Sequence, residues 1–239
     1  MGPLSVSRDA QVTMLTLSRV QRANALDHEL VEALHAALDL AFSDGTRLLV
    51  LTGAGENFCG GFDFGGFESA SNAELCWRFV RIEQLLQKLA HAPIDTLALA
   101  QGGAFGAGAD LLAACTQRVA GDNLRVRMPG WKFGLALGTR RLAALIGAEK
   151  AREVLAEATI WSASEALAAG LIGRISAPAQ WPEDVAAATR TATSLAASAR
   201  VRLAHLTRDD TRAADMAALV ESLTEGDLRA RIAKFRAQR

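Results

Sequence analysis

Two glycine-rich runs and the carboxylates beside them are the residues of this chain that could do chemistry. One covers positions 53–66 and overlaps L-T-G-A-G-E-N-F-C-G-G-F-D-F at 51–64; the other is Q-G-G-A-F-G-A-G-A-D-L-L, starting at Gln101. Each follows an apolar run that reads as a strand, Arg47 to Thr52 and Asp95 to Ala100, so both loops are expected at one edge of a sheet. The second run reads as a glycine turn passing directly into a helix. The free N–H groups of that helix's first turn, with the positive end of its dipole, suit an oxyanion. Two loops can supply two donors to one carbonyl oxygen, the arrangement that stabilises an enolate or tetrahedral anion. Asp110, in the expected first turn, is either a capping anion or an acid/base. A dinucleotide site is disfavoured, because G-G-A-F-G-A-G has the order G-x-x-G-x-G and no strand-end acid follows at the required distance.

The elements that must hold these loops alternate. Residues 4–8 and 11–18 read as a β-hairpin, Asp27 as the N-cap of a helix from about His28 to Ser43, and 72–90 as a long amphipathic helix ended before Pro93. Short strands follow at 117–121 and 124–128, then helices at 139–146 and 148–157, a cap at Ser162 or Ser164 before a helix at 165–169, and a strand at 171–175. Alternation of this kind predicts an α/β fold of parallel βαβ units with ligands at the carboxyl ends of the strands. The last third is helical: 183–206 is Ala-rich, and 210–237 carries Met216, Leu219, Val220, Leu223, Leu228, Ile232 and Phe235 at helical spacing. That tail is expected to pack on the body or on another subunit.

Composition narrows the partners. Half of the 239 residues are apolar, enough for a sizeable core, and 26 basic residues balance 26 acidic ones. No global field favours nucleic acid or an anionic membrane, and no run reaches the roughly 18 to 20 apolar residues that span a bilayer. A soluble cytoplasmic protein is expected. Cys59, Cys76 and Cys115 are odd in number and lack metal spacing, so they read as reduced thiols, with neither a disulfide framework nor a metal site expected.

The residues resemble the crotonase superfamily, the enoyl-CoA hydratase/isomerase family, from about residue 4 to 176. Four pieces carry the resemblance: R-A-N-A-L-D-H-E-L at 22–30, the run at 51–64, the run from Gln101, and F-G-L-A-L-G-T-R-R-L together with S-A-S-E-A-L-A-A-G-L-I at 162–172. The resemblance implies a crotonase-like spiral of β-β-α units over residues 1–180 and a C-terminal helical trimerisation region over 181–239. It implies an acyl-CoA thioester substrate, with coenzyme A arriving as part of that substrate and no tightly bound cofactor, and a homotrimer or dimer of trimers.

Carried over by residue, the oxyanion donors would be the backbone N–H groups of Phe62 and Ala107, shaped by Gly61 and Gly106, with Asp110 as the inherited acid/base. Arg22, Asn24, Ala25, Gly61, Asp63 and Gly106 would line the path of the coenzyme. The family's hydratases usually carry two glutamates here. In this chain the first is Asp110, one methylene shorter, and the second falls at Gly130 in M-P-G-W-K-F. Displacement of a catalytic group by about 1 Å costs on the order of a hundredfold in rate. Direct hydration by two acids is therefore disfavoured. Decarboxylation or hydrolysis of a CoA ester through the same enolate, and a catalytically weak acyl-CoA-binding or assembly subunit, stay open. Candidates for the missing acid are His28, His35, His91, His205 and Asp63, while Trp131 and Lys132 could enter the emptied pocket, each also readable as packing or surface. The Arg140-Arg141 pair reads equally as a contact to CoA phosphates or to a neighbouring subunit.

Overall fold

The computed structural model describes residues 2–238, so Met1 and Arg239, the outer bounds of the two expected regions, lie outside the described residues. The hairpin forms as expected: β1 (Leu4–Asp9) pairs antiparallel with β2 (Val12–Leu17). Helix α1 (His28–Ser43) starts at Asp27, whose Oδ1 accepts the Leu30 amide at 2.9 Å, and leads to β3 (Leu48–Gly53). Helix α2 (Asn72–Ala90) is capped by Ser71, whose hydroxyl accepts the Glu74 amide at 3.1 Å, and β4 (Asp95–Ala100) follows it.

The glycine stretch departs from expectation. It does not pass directly into the helix: a short strand, β5 (Gly103–Phe105), precedes α3 (Ala107–Ala114). Backbone pairing on both sides of the run is the reason. Cys59 N donates to Gly103 O at 3.0 Å, Phe105 N to Cys59 O at 2.9 Å, and Gly106 N to Arg127 O at 2.7 Å. Then come β6 (Gln117–Ala120), β7 (Arg125–Arg127), α4 (Thr139–Ile146), α5 (Ala148–Glu157) and β8 (Trp161–Ser162). Helix α6 (Ala163–Ala168) opens on a capping box of Ser162 and Glu165. The expected strand at 171–175 shrinks to β9 (Arg174–Ile175), because Leu171 N and Ile172 N bond back to Ala166 O and close the helix. The expected helix at 183–206 is two, α7 (Trp181–Thr193) and α8 (Ala197–Thr207), and the tail forms α9 (Arg212–Thr224) and α10 (Leu228–Arg236).

Six strands make one sheet in the order β1-β2-β3-β4-β6-β9, parallel from β2 onward, and β5-β7-β8 make a second. The alternation along β3 and β4 divides two cores. Leu49, Leu51, Ala98 and Ala100 join one cluster with the buried faces of α1 and α2. Leu48, Val50, Leu97 and Leu99 face the other way and pack with Ala188 and Ala192 of α7. The tail packs on the body: α9 and α10 lie on α2, and Leu219, Leu223, Leu228, Ile232 and Phe235 are buried, although Val220 is 42% exposed. Helix α8 buries no residue and exposes Val201, Leu203 and Leu206. Among the described residues no helix is long and apolar enough to cross a membrane, and the three cysteines are free thiols.

Candidate active site

Both glycine loops meet where their strands end. Leu26 bridges the first loop by donating to Gly61 O at 2.7 Å and accepting from Asp63 N at 3.1 Å, which skips the amide of Phe62. In the second loop Gly106 N is taken by Arg127 O, and the helical bonds resume with Asp110 N to Gly106 O at 3.1 Å, which skips the amides of Ala107, Gly108 and Ala109. Neither the Phe62 nor the Ala107 amide has a hydrogen-bond partner among the described residues, and both residues line one pocket. The loops touch because Gly61 has no side chain. At φ +87, a Cβ there would stand 2.3 Å from Phe105 O and 3.3 Å from Ala107 N. The two N–H groups are therefore neighbours, and both are available to a ligand.

Asp110 lines the same pocket at 3% exposure, and its Oδ1 is buried without a partner. Burial raises its carboxyl to about 7, opposed by the positive charge of Arg141 and assisted by the negative charge of Glu83. Gly138, the N-cap of α4 at φ +66, makes room for it: a Cβ at 138 would fall 1.6 Å from Asp110 Oδ1. Behind Asp110 lies a buried ion pair that sequence reasoning missed. Arg141 donates to both oxygens of Glu83, at 2.8 and 2.5 Å, and Glu83 is 1% exposed. Gln87 Nε2 adds a bond to Glu83 Oε1 at 2.8 Å. A signal existed: Glu83 interrupts the apolar stripe of Phe79, Ile82 and Leu86 on α2. Of the Arg140-Arg141 pair, Arg141 is spent on Glu83, whereas Arg140 is exposed and pairs with Asp215 at 3.0 Å.

The pocket walls are aromatic. Phe62 turns its ring onto Phe79 of α2, centroids 4.2 Å apart and nearly parallel, with Phe64 edge-on at 5.1 Å. Phe133, in a 3-10 turn over Gly130–Phe133, meets Phe235 of α10 at 5.0 Å. Gly130 brings no acid, and the wall beyond it is Leu135, Leu137 and Leu155. None of the four histidines lines this pocket. Trp131 does, with its Nε1 donating to Thr139 Oγ1 at 3.1 Å, while Lys132 is exposed.

The residues expected along the coenzyme path separate. Arg22, Ala25 and Asp63 line an outer depression that shares Phe62 and Phe64 with the inner pocket and includes Arg236 of α10. Asp63 is braced within its loop, with Oδ1 accepting Gly65 N at 2.8 Å and Oδ2 on Arg19 at 2.9 Å. Asn24 does not line the path. It is fully buried at φ +56, and its Nδ2 donates to the carbonyls of Ala54, Asn57 and Phe58 at 2.9, 2.8 and 3.3 Å, tying down the first glycine loop. Asn24→Ala strands those carbonyls and is expected to cost about 2 kcal/mol or more, read as a lower denaturant midpoint. An unchanged midpoint would show that the loop holds itself.

Known proteins resemble the chain over most of its length. The family model described as enoyl-CoA hydratase/isomerase matches residues 7–230. A Mycobacterium leprae protein described as the enoyl-CoA hydratase echA6 is 33% identical over 192 residues, 76% of each chain. A Bacillus subtilis protein described as an enoyl-CoA hydratase is 31% identical over 177 residues, 72% of this chain and 68% of its own. A crystal structure from Bordetella parapertussis, described as an enoyl-CoA hydratase/isomerase, covers 100% of both chains with a TM-score of 0.98 and 45% identity. With two glycine loops converging on one pocket and a match over almost the whole length, the chain belongs to the enoyl-CoA hydratase/isomerase family of the crotonase superfamily.

Proposed function

We propose that the protein is an enzyme acting on an acyl-CoA thioester, whose carbonyl oxygen sits between the amides of Phe62 and Ala107 and becomes an enolate oxyanion there. The observation that carries this reading is the pair of neighbouring, unpartnered N–H groups in one pocket with a single protonatable carboxyl. The outer depression would take the coenzyme, with Arg22 and Arg236 near its phosphates. No resident cofactor is required. Asp110, titrating near neutrality, would take a proton from the carbon next to the thioester or give one to it.

Gly130 favours a second reading on the same enolate. With no second acid to hold a water, loss of carbon dioxide from a carboxylated acyl-CoA followed by proton transfer from Asp110 needs only the groups present. Assembly into trimers belongs to the same proposal, with the exposed Val201, Leu203 and Leu206 of α8 as the candidate contact.

A panel of 2-enoyl-, 3-enoyl- and 2-carboxyacyl-CoA esters distinguishes hydration, isomerisation and decarboxylation. Gly61→Ala tests the oxyanion site on whichever ester turns over. The added Cβ has no room against Phe105 O, so the Phe62 amide must move, and kcat is expected to fall about 10²-fold, as for loss of one oxyanion donor. Unchanged kcat would remove the thioester from between these amides. Binding of every ester without turnover would favour the binding-subunit reading.

A further inference from the structure

The peptide joining Gly61 to Phe62 is planar, so its C=O and N–H point in opposite directions. Leu26 N holds the carbonyl end at 2.7 Å, which turns the Phe62 N–H away from Leu26 and leaves it free. Whatever fixes Leu26 therefore aims this donor. Leu26 follows an irregular turn, with a 3-10 segment at Val20–Arg22 and then Ala23 and Asn24 at φ +48 and +56, left-handed values uncommon outside glycine. The backbone of Arg19 closes the turn, its O accepting Arg22 N at 2.9 Å and Asn24 N at 3.0 Å.

The side chain of Arg19 then reaches past the turn to the residues around the Leu26–Phe62 bridge. Its Nη1 donates to Ala25 O, and its Nη2 stands 2.8 Å from Asp27 Oδ2 and 2.9 Å from Asp63 Oδ2. Ala25 and Asp27 flank Leu26, and Asp63 follows Phe62. Each aspartate spends its other oxygen locally, Asp27 Oδ1 on Leu30 N at 2.9 Å and Asp63 Oδ1 on Gly65 N at 2.8 Å. One guanidinium thus ties the start of α1 to the first glycine loop across the bridge. Its side chain is 17% exposed, so these charge-assisted bonds are largely shielded from water.

Building on the proposed thioester site, we infer that Arg19 is a positioning residue: its guanidinium, shared between Ala25 O, Asp27 and Asp63, holds Leu26 against Gly61 so that the Phe62 amide stays aimed at the thioester oxygen. Arg19 touches no substrate in this arrangement. It acts through the direction of one peptide plane.

Difference infrared spectroscopy of the intact protein with butyryl-CoA carrying a ¹³C thioester carbonyl reads the donors directly, because hydrogen bonds to the oxygen lower the C=O stretch. The wild type is expected to lower it relative to the free ester. Arg19→Lys keeps the charge, but an ammonium lacks the planar fork that serves the three acceptors. It is expected to lose about half of the shift, since the Ala107 amide remains, and to lower kcat and kcat/KM together by about tenfold on whichever ester turns over. The Kd for butyryl-CoA should stay within about threefold, as for an interaction that matters to the transition state more than to binding. Asp63→Asn frees one side of the tie while Arg19 keeps Asp27 and Ala25, so it should lose a smaller part of the shift. It carries the same test should Arg19→Lys melt well below the wild type. A full wild-type shift with unchanged kcat in both variants would overturn the role of Arg19. Weaker binding with the shift retained would also overturn it, by making Arg19 a support of the coenzyme depression instead. An unshifted carbonyl in the wild type would remove the thioester from between the amides, and with it the site on which this role rests.

Discussion

Asp110→Asn is expected to lower kcat by about 10²- to 10⁴-fold, the usual range for loss of a positioned acid or base, while the affinity for a saturated acyl-CoA changes by no more than about threefold. The substitution is nearly isosteric, so the pocket walls and the two amides stay where they are. The pH profile then reports the role. A carboxyl raised to about 7 is half protonated near neutrality. If Asp110 removes a proton, wild-type activity rises as pH passes upward through about 7; if it donates one, activity falls over the same span. The variant should lose that limb. Unaltered turnover in Asp110→Asn would dismiss Asp110 from the chemistry.

Stability carries an independent sign. The folded-state value of Asp110 lies above the unfolded one, so between about pH 4 and pH 7 the native state holds a proton that the unfolded chain has released. This contribution is present in full below the unfolded value and is lost as pH rises through the folded one. Buried carboxylate therefore destabilises the wild type at alkaline pH, by an amount on the order of a few kcal/mol at most. Asp110→Asn, which never ionises, should melt higher than the wild type at pH 8, with the difference shrinking toward pH 5. A difference that is flat with pH would contradict the burial argument.

Glu83→Ala is expected to be the most destabilising of these changes. It leaves the Arg141 guanidinium buried without its two-pronged partner, and breaking a buried pair from one side costs about 3–5 kcal/mol. For a chain of this size the melting temperature should fall by roughly 6 °C or more. Asp215 lies 3.8 Å from Arg141 and already serves Arg140, so it replaces Glu83 poorly. Replacing both partners with apolar residues, Glu83→Met with Arg141→Leu, should recover most of the loss. Failure of the double variant to recover would show that the pair does more than satisfy itself. The same variants reach the pocket, since removing the negative charge of Glu83 leaves the positive charge of Arg141 less offset beside Asp110. Glu83→Gln should accordingly shift the Asp110 limb to lower pH, and an unmoved limb would place Asp110 outside the reach of this pair.

What could be read from the sequence was whatever depends on neighbours along the chain. The Asp27 cap, the alternating hairpin, the apolar runs of β3 and β4, and the glycine loops all follow from local spacing. The unread features need partners far away. Strand β5 exists only because Cys59 and Arg127 present backbone groups on either side of it. Arg141 and Glu83 are 58 positions apart, and Arg231 of α10 reaches Phe133 across 98, so neither the buried pair nor the docking of α10 leaves a periodic trace. Asn24 misled for a related reason. Its place in N-A-L beside the first glycine loop is the same whether its amide faces a ligand or three loop carbonyls, and only the fold decides between them.

The contact between Asp110 and Gly138 restricts the order in which this site can be altered. A carboxylate oxygen occupies the space where any side chain at 138 would begin, and the backbone there is left-handed. Gly138 therefore cannot change first. Lengthening the acid by Asp110→Glu with Gly138 retained pushes the carboxyl out into the pocket, into space otherwise left for the acyl group. Shortening it opens the helix start of α4 to a side chain for the first time. Positions 110 and 138 form a ratchet, passable from the acid side and blocked from the glycine side, so any lineage that refits this pocket for another acid must begin at 110.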